Sequence, residues 1–186
     1  MLIKLIESDV RSLELYFNKL FEFMPKPDAD TPFQEPSVEG DPLPHGYGQF
    51  VRPDMVCNVY SLVDFWLTKL CSFAESQRSL NLSHKDIRGT NDLDSRHKYL
   101  TKVVGLDLAG IAASYQHLDI VRKVRNCYLH GGGHADDNLK ARLIPVSFVD
   151  ASIGLILVAD EFIWSSLRHA HDYLAFVARL LTPSKR

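Results

Sequence analysis

Apolar residues return at alternating steps of four and three along much of this chain, and that spacing restricts its fold more than any other feature. Ile6, Val10, Leu13, Phe17, Leu20 and Met24 form one stripe, and Val56, Tyr60, Val63, Leu67, Leu70 and Ala74 a second. Ile163, Leu167, Ala170, Leu174, Val177 and Leu181 form another near the C-terminus. An α-helix turns once in about 3.6 residues, so each set lies along one side of a helix and needs an apolar partner. Met55, Val59, Leu62, Trp66 and Phe73 widen the second stripe so far that its helix belongs at the centre of a bundle.

The breaks between these stripes set the element order. The first helix ends before Pro25. Seven of the nine prolines (Pro25, Pro27, Pro32, Pro36, Pro42, Pro44 and Pro53) fall in the next stretch, with Gly40, Gly46 and Gly48 among them. That composition predicts a surface excursion over about residues 25–53, with Pro53 in the first turn of the second helix. Leu80–Asn91 is polar and turn-rich, and a short third helix is expected at about Leu93–Val104, stopped by Gly105. A fourth runs from about Ala112 to His130. Ala141–Val149 and Ser152–Ala159 are short, apolar and β-branched, which predicts a small hairpin. Asp160 suits the N-cap of a last helix that stops at Pro183. The expectation is an all-α protein: one domain over residues 1–186, a bundle of about five helices with a small β-hairpin before the last.

Hydrophobic residues at 46% and charged residues at 24% are ordinary for a soluble globular protein, and a formal charge of −2 gives no global attraction to nucleic acid. Binding of RNA or DNA must therefore rest on a local patch. Cys57, Cys71 and Cys127 each sit in an apolar helical pattern, which favours reduced thiols. No secretory signal follows Met1, since Glu7 and Asp9 come at once, and no apolar run of about 18 residues is present. A cytoplasmic protein is expected, without a membrane partner.

The densest polar chemistry lies in Val121–Gly133, VRKVRNCYLHGGG. Leu118, Val121, Val124 and Tyr128 form the apolar side of this helix; Arg122, Lys123, Arg125, Asn126 and His130 occupy the others, with Asp119 as the only nearby acid. Three glycines then end it, because glycine readily takes the left-handed conformation of a helix C-terminus. The five-residue step from Arg125 to His130 turns the helix by about 140°, so the two side chains do not start on one side. Asn126 and His130, four apart, do. To meet, Arg125 must curl, the helix must loosen at Gly131, or a second copy must supply part of the site. The residue types suit phosphodiester cleavage in RNA: an imidazole can move the 2′-hydroxyl or leaving-group proton, and a guanidinium can hold the developing phosphate charge, with no metal or other cofactor. On spacing alone the plainer reading is a solvated helix arginine and a histidine at a helix C-terminus, where a cation meets the helix dipole favourably.

Two other chemistries touch the same stretch. Cys127, His130 and His134 have zinc-ligand spacing, but no fourth cysteine or histidine is close in sequence, and no metal site is assigned. The glycines follow a helix, whereas a phosphate-cradling loop precedes one. His169 and His171 are expected at the surface or an interface, and Trp66 and Trp164 in the core or a dimer contact.

The segment resembles the signature of the HEPN superfamily (higher eukaryotes and prokaryotes nucleotide-binding), R-x4–6-H with a polar residue after the arginine. Those positions are Arg125, Asn126 and His130. The resemblance implies a metal-independent endoribonuclease acting on single-stranded RNA as a homodimer, with arginines and histidines of two subunits lining one cleft. It extends to toxins of toxin–antitoxin systems and to antiphage ribonucleases, hence to an antitoxin or defence-system partner. It implies His130 as general acid/base, Arg125 as the phosphate-stabilising cation and Asn126 in support; Arg122 and Lys123, from the local basic patch, are expected as RNA contacts. Gly132 stands where members regulated by adenylylation carry tyrosine, so that regulation is not implied. Because silent members of the superfamily exist, the alternative is a module that binds nucleotide, RNA or a protein partner without turnover.

Overall fold

A computed structural model describes residues 1–24 and 48–182. Among the described residues are six α-helices: α1 (Leu2–Phe23), α2 (Gly48–Arg78), α3 (Asp92–Lys98), α4 (Ala112–Gly131), α5 (Asp137–Leu143) and α6 (Asp160–Leu181). A two-stranded antiparallel hairpin, β1 (Val149–Asp150) with β2 (Leu157–Val158), precedes α6. The fold is thus all-α with one minor β-element. No helix among the described residues is long and apolar enough to cross a membrane.

The periodic stripes pack as their spacing requires. Helices α2 and α6 form the central pair, flanked by α1 and α4, which each touch both. Ile6 and Phe17 of α1, Val63, Leu67 and Leu70 of α2, Leu118, Val121 and Val124 of α4, and Ile163, Ala170, Leu174 and Val177 of α6 all enter one hydrophobic cluster. Burying a side chain of this kind stabilises a fold by about 1.5–3 kcal/mol, so the stripes alone specify which helix sides face inward. Polar ties then fix the packing: Trp66 Nε1 donates to Asp9 Oδ2 (3.0 Å), and buried Arg52 pairs with Asp160 (2.8 Å). Arg96 on α3 pairs with Asp64 on α2 (2.6 Å). Trp164 stacks obliquely on Phe21, its ring centroid 5.4 Å away, and packs half-buried against the hydrophobic cluster.

Several boundaries differ from the sequence reading. Pro53 lies inside α2, which begins at Gly48, rather than in its first turn. So near a helix start, proline forfeits a single backbone hydrogen bond. The rest of the proline-rich stretch, residues 25–47, lies outside the described residues, as does Pro183. After α3 the chain makes one π-helical turn, Tyr99–Val103, and Gly105 (φ +75°) ends it as anticipated. The expected strand Ala141–Val149 is mostly not a strand. Asp136 Oδ1 accepts the Leu139 N–H (2.7 Å), which caps α5 and carries the chain helically through Leu143. This cap adds a sixth helix and shortens the hairpin to two residues per strand. Ala159, not Asp160, occupies the last N-cap, leaving the Asp160 carboxylate to Arg52.

Candidate functional site

Helix α4 carries the predicted residues and ends in a built stop. Gly132 (φ +58°) reverses the chain, and the Gly133 N–H returns to the Cys127 carbonyl (3.1 Å). Gly133 itself (φ +85°) is closely packed: a Cβ there would lie 3.0 Å from Leu155 and 3.2 Å from the Tyr128 ring. The Tyr128 hydroxyl donates to the Ile156 carbonyl (2.9 Å), so the end of α4 is fastened to the hairpin. His130 is therefore presented, exposed, from a rigid last turn.

An open groove of about 850 Å³ runs along this helix. Tyr115, Asp119, Arg122, Lys123, Asn126 and His130 form its floor, a length of roughly 22 Å at about 1.5 Å per residue. At the Tyr115 end stand Thr90, Asn91 and Asp94; at the His130 end, the glycine turn and α5 contribute His134, Asn138 and Arg142. Asn126 and His130 share the groove, as their four-residue spacing predicts.

Arg125 does not line it. The guanidinium lies over the Tyr60 ring of α2, 5.8 Å from its centroid, while Nη1 donates to Asn126 Oδ1 (2.9 Å). Its Nε is buried without a hydrogen-bond partner. The rotation between Arg125 and His130 thus persists in the fold: one side chain leaves α4 toward α2, the other into the groove, and Asn126 bridges the two directions.

The local basic patch is also weaker than its sequence suggests. Asp119 Oδ1 accepts from Arg122 Nε and Nη2 (3.0 and 2.8 Å), and Oδ2 accepts from Lys123 Nζ. Burial pushes the Asp119 carboxyl up, but the Lys123 and Arg122 hydrogen bonds outweigh it and hold the group below the usual carboxylate range. Asp94, at the other end, behaves alike: burial is outweighed by bonds from Lys98 and Thr90. Of the zinc-spaced residues, Cys127 donates its thiol to the His134 carbonyl (3.1 Å). Among the described residues no group of three or more His, Cys, Asp or Glu is placed to hold a metal ion.

Sequence reasoning missed a histidine seam behind the groove floor. His97 of α3 stacks on Tyr115 (4.1 Å between centroids) and bonds the Tyr173 hydroxyl (2.8 Å). His169, expected at the surface or an interface, is half-buried between α6 and α4, with Nδ1 3.0 Å from Ser114 Oγ. His117 Nε2 lies 2.9 Å from Ser166 Oγ, and its ring is 4.3 Å from that of His169. Because Ser166 already donates to the Phe162 carbonyl (2.6 Å), it accepts from His117, which assigns the proton to Nε2. Burial, with His169 beside it, lowers His117 to about 4; burial also lowers His97 and His169. The available signal was spacing: His117 lies one helical turn beyond Ser114 on α4, and His169 one turn beyond Ser166 on α6.

No family model, curated protein or solved structure matches this chain.

Proposed function

We propose that the protein is a metal-independent endoribonuclease of the HEPN type, cleaving single-stranded RNA by attack of a 2′-hydroxyl. The observation that carries the reading is His130: an exposed imidazole at the end of a rigid helix, opening into a groove beside Asn126. In that role His130 removes the 2′-hydroxyl proton; the oxygen bonds to phosphorus, and the bond to the 5′-oxygen breaks as that oxygen takes up a proton. The product ends are a 2′,3′-cyclic phosphate and a 5′-hydroxyl. Arg125, oriented through Asn126, is the cation assigned to the developing phosphate charge. Since it leaves α4 on the α2 side, the reading takes a symmetric pair as the active assembly, with Arg125 working against the partner's His130.

A specific observation favours a second reading, a silent module that binds RNA, nucleotide or protein. Arg125 packs on Tyr60, and Asp119 holds both Arg122 and Lys123, so no cation of α4 stands free in the groove. The two separate in one experiment. Incubated with single-stranded RNA in EDTA, the enzyme leaves cyclic-phosphate ends, and His130→Ala stops the cutting without lowering the melting temperature. Binding without any cleavage by the wild type selects the module; undiminished cleavage by His130→Ala removes that imidazole from the mechanism.

A further inference from the structure

We propose that the cation gripping an RNA phosphate in the groove is Arg142, presented by α5, and not Arg122 or Lys123 of the floor. The ligand class rests on the reading above; the choice of residue rests on how each cation is engaged. Arg122 gives two hydrogen bonds to Asp119 and Lys123 gives a third, so a phosphate can recruit them only by displacing a carboxylate already in place. Arg142 lines the same groove as His130 and is exposed. Its Nε donates to Asn138 Oδ1 (3.2 Å), and among the described residues no ion pair involves it. Both terminal amino groups remain available for the two-pronged contact that guanidinium makes with phosphate.

Its support is fixed. Leu143 is buried at 1% exposure, Asp136 caps the start of α5, and two backbone hydrogen bonds bind the preceding turn to the hairpin. Those are Ala135 N–H to Gly154 O (2.9 Å) and Ile156 N–H to Gly133 O (2.9 Å), which together make the antiparallel His134–Leu155 bridge. The backbone that carries Arg142 is thereby fixed on the groove wall before any ligand arrives, which lowers the ordering cost of binding. The nearby acids are committed elsewhere: Asp136 to its cap and Asp137 to Lys140 (3.3 Å).

The test is fluorescence anisotropy of a labelled 2′-O-methyl RNA octamer, which cannot be cut, measured over a salt series. Arg142→Gln is expected to weaken binding about tenfold at low salt and to flatten the slope of log K against log salt by about 0.7, one phosphate contact on a single strand. Arg122→Gln and Lys123→Gln should each change affinity less than about threefold with the slope preserved, since each loses a bond to Asp119 rather than to RNA. Arg142→Gln with wild-type affinity and slope, while wild type binds, overturns this inference and leaves the ribonuclease reading standing. A wild type that binds no RNA overturns both. Because Arg142 is exposed, Arg142→Gln should retain the fold, which circular dichroism checks.

Discussion

Acid should unlock the seam between α4 and α6, and His117 sets the size of the effect. The unfolded chain takes up the imidazole proton near the ordinary 6.5, whereas the folded chain resists it until about 4. Between those values the unfolded state binds more protons, so stability falls as pH falls, and the whole contribution is gone below the folded value. A displacement of about 2.5 on the pH scale, at about 1.36 kcal/mol each, gives an upper figure of about 3.4 kcal/mol. Taking the assay only to pH 4.5, and discounting for the partial exposure of the ring, leaves about 2 kcal/mol. His169, lowered by burial and by Arg168 but opposed by Asp172, adds in the same direction, as does His97 against Asp94. Urea unfolding followed by tryptophan fluorescence from pH 7.5 to pH 4.5 measures the loss, and His117→Gln, whose amide can still donate to Ser166, should lose about 2 kcal/mol less over that range. Parallel pH curves for wild type and His117→Gln would refute the reasoning, because they would mean that the ring stays equally protonated in both states.

Asp119→Asn should release Arg122 and Lys123 and tighten binding of the 2′-O-methyl octamer several-fold at low salt, with a steeper salt slope; an unchanged slope in the same anisotropy assay counts against Asp119 as their restraint. Gly133→Ala combines a left-handed φ of +85° with Cβ contacts at 3.0–3.2 Å, and should cost about 1–3 kcal/mol in urea unfolding. A Gly133→Ala protein as stable as wild type would show that the end of α4 can shift. Mixing Arg125→Ala with His130→Ala should restore about one quarter of the ribonuclease activity if the site is shared across a symmetric dimer, since half the pairs are mixed and each rebuilds one of two sites. No recovery after subunit exchange points to a site within one copy.

The four long helices were legible because burial imposes its period on sequence: Val63, Leu67 and Leu70 on α2 and Ala170, Leu174 and Val177 on α6 face one another as their spacing demands. Short elements were not. The segment from Asp137 to Leu143 has only two turns, too few for periodicity to register, and its identity as a helix hangs on the Asp136 cap. Reading Ala141–Val149 as strand hid Arg142. At the site, the Asn126–His130 pairing followed from a four-residue step, and the separation of Arg125 from a five-residue one. Capture of Arg122 and Lys123 by Asp119 was accessible too, since three- and four-residue steps bring opposite charges together on a helix. The histidine seam needed tertiary information: nothing local to α4 states which α6 hydroxyl His117 will meet.

Helix α4 therefore divides its circumference among three environments, and the division bears on how a ligand could be felt by the core. One side enters the hydrophobic cluster through Leu118, Val121 and Val124; a second holds neutral histidine–hydroxyl pairs against α6; a third is the groove floor. Tyr115 belongs to the last two at once, lining the groove while its ring lies on His97, which in turn bonds Tyr173 of α6. A group binding at the Tyr115 end thus touches a side chain stacked on His97, whose protonation burial resists. At the other end, His130 and Arg142 stand on elements fastened to the hairpin through Tyr128 and the Gly133–Ile156 contact, independent of the seam. The two ends should accordingly respond differently to acid. Protonation of His97, which burial opposes, bears on the Tyr115 end alone, because the His130 end is tied to the hairpin and not to that ring.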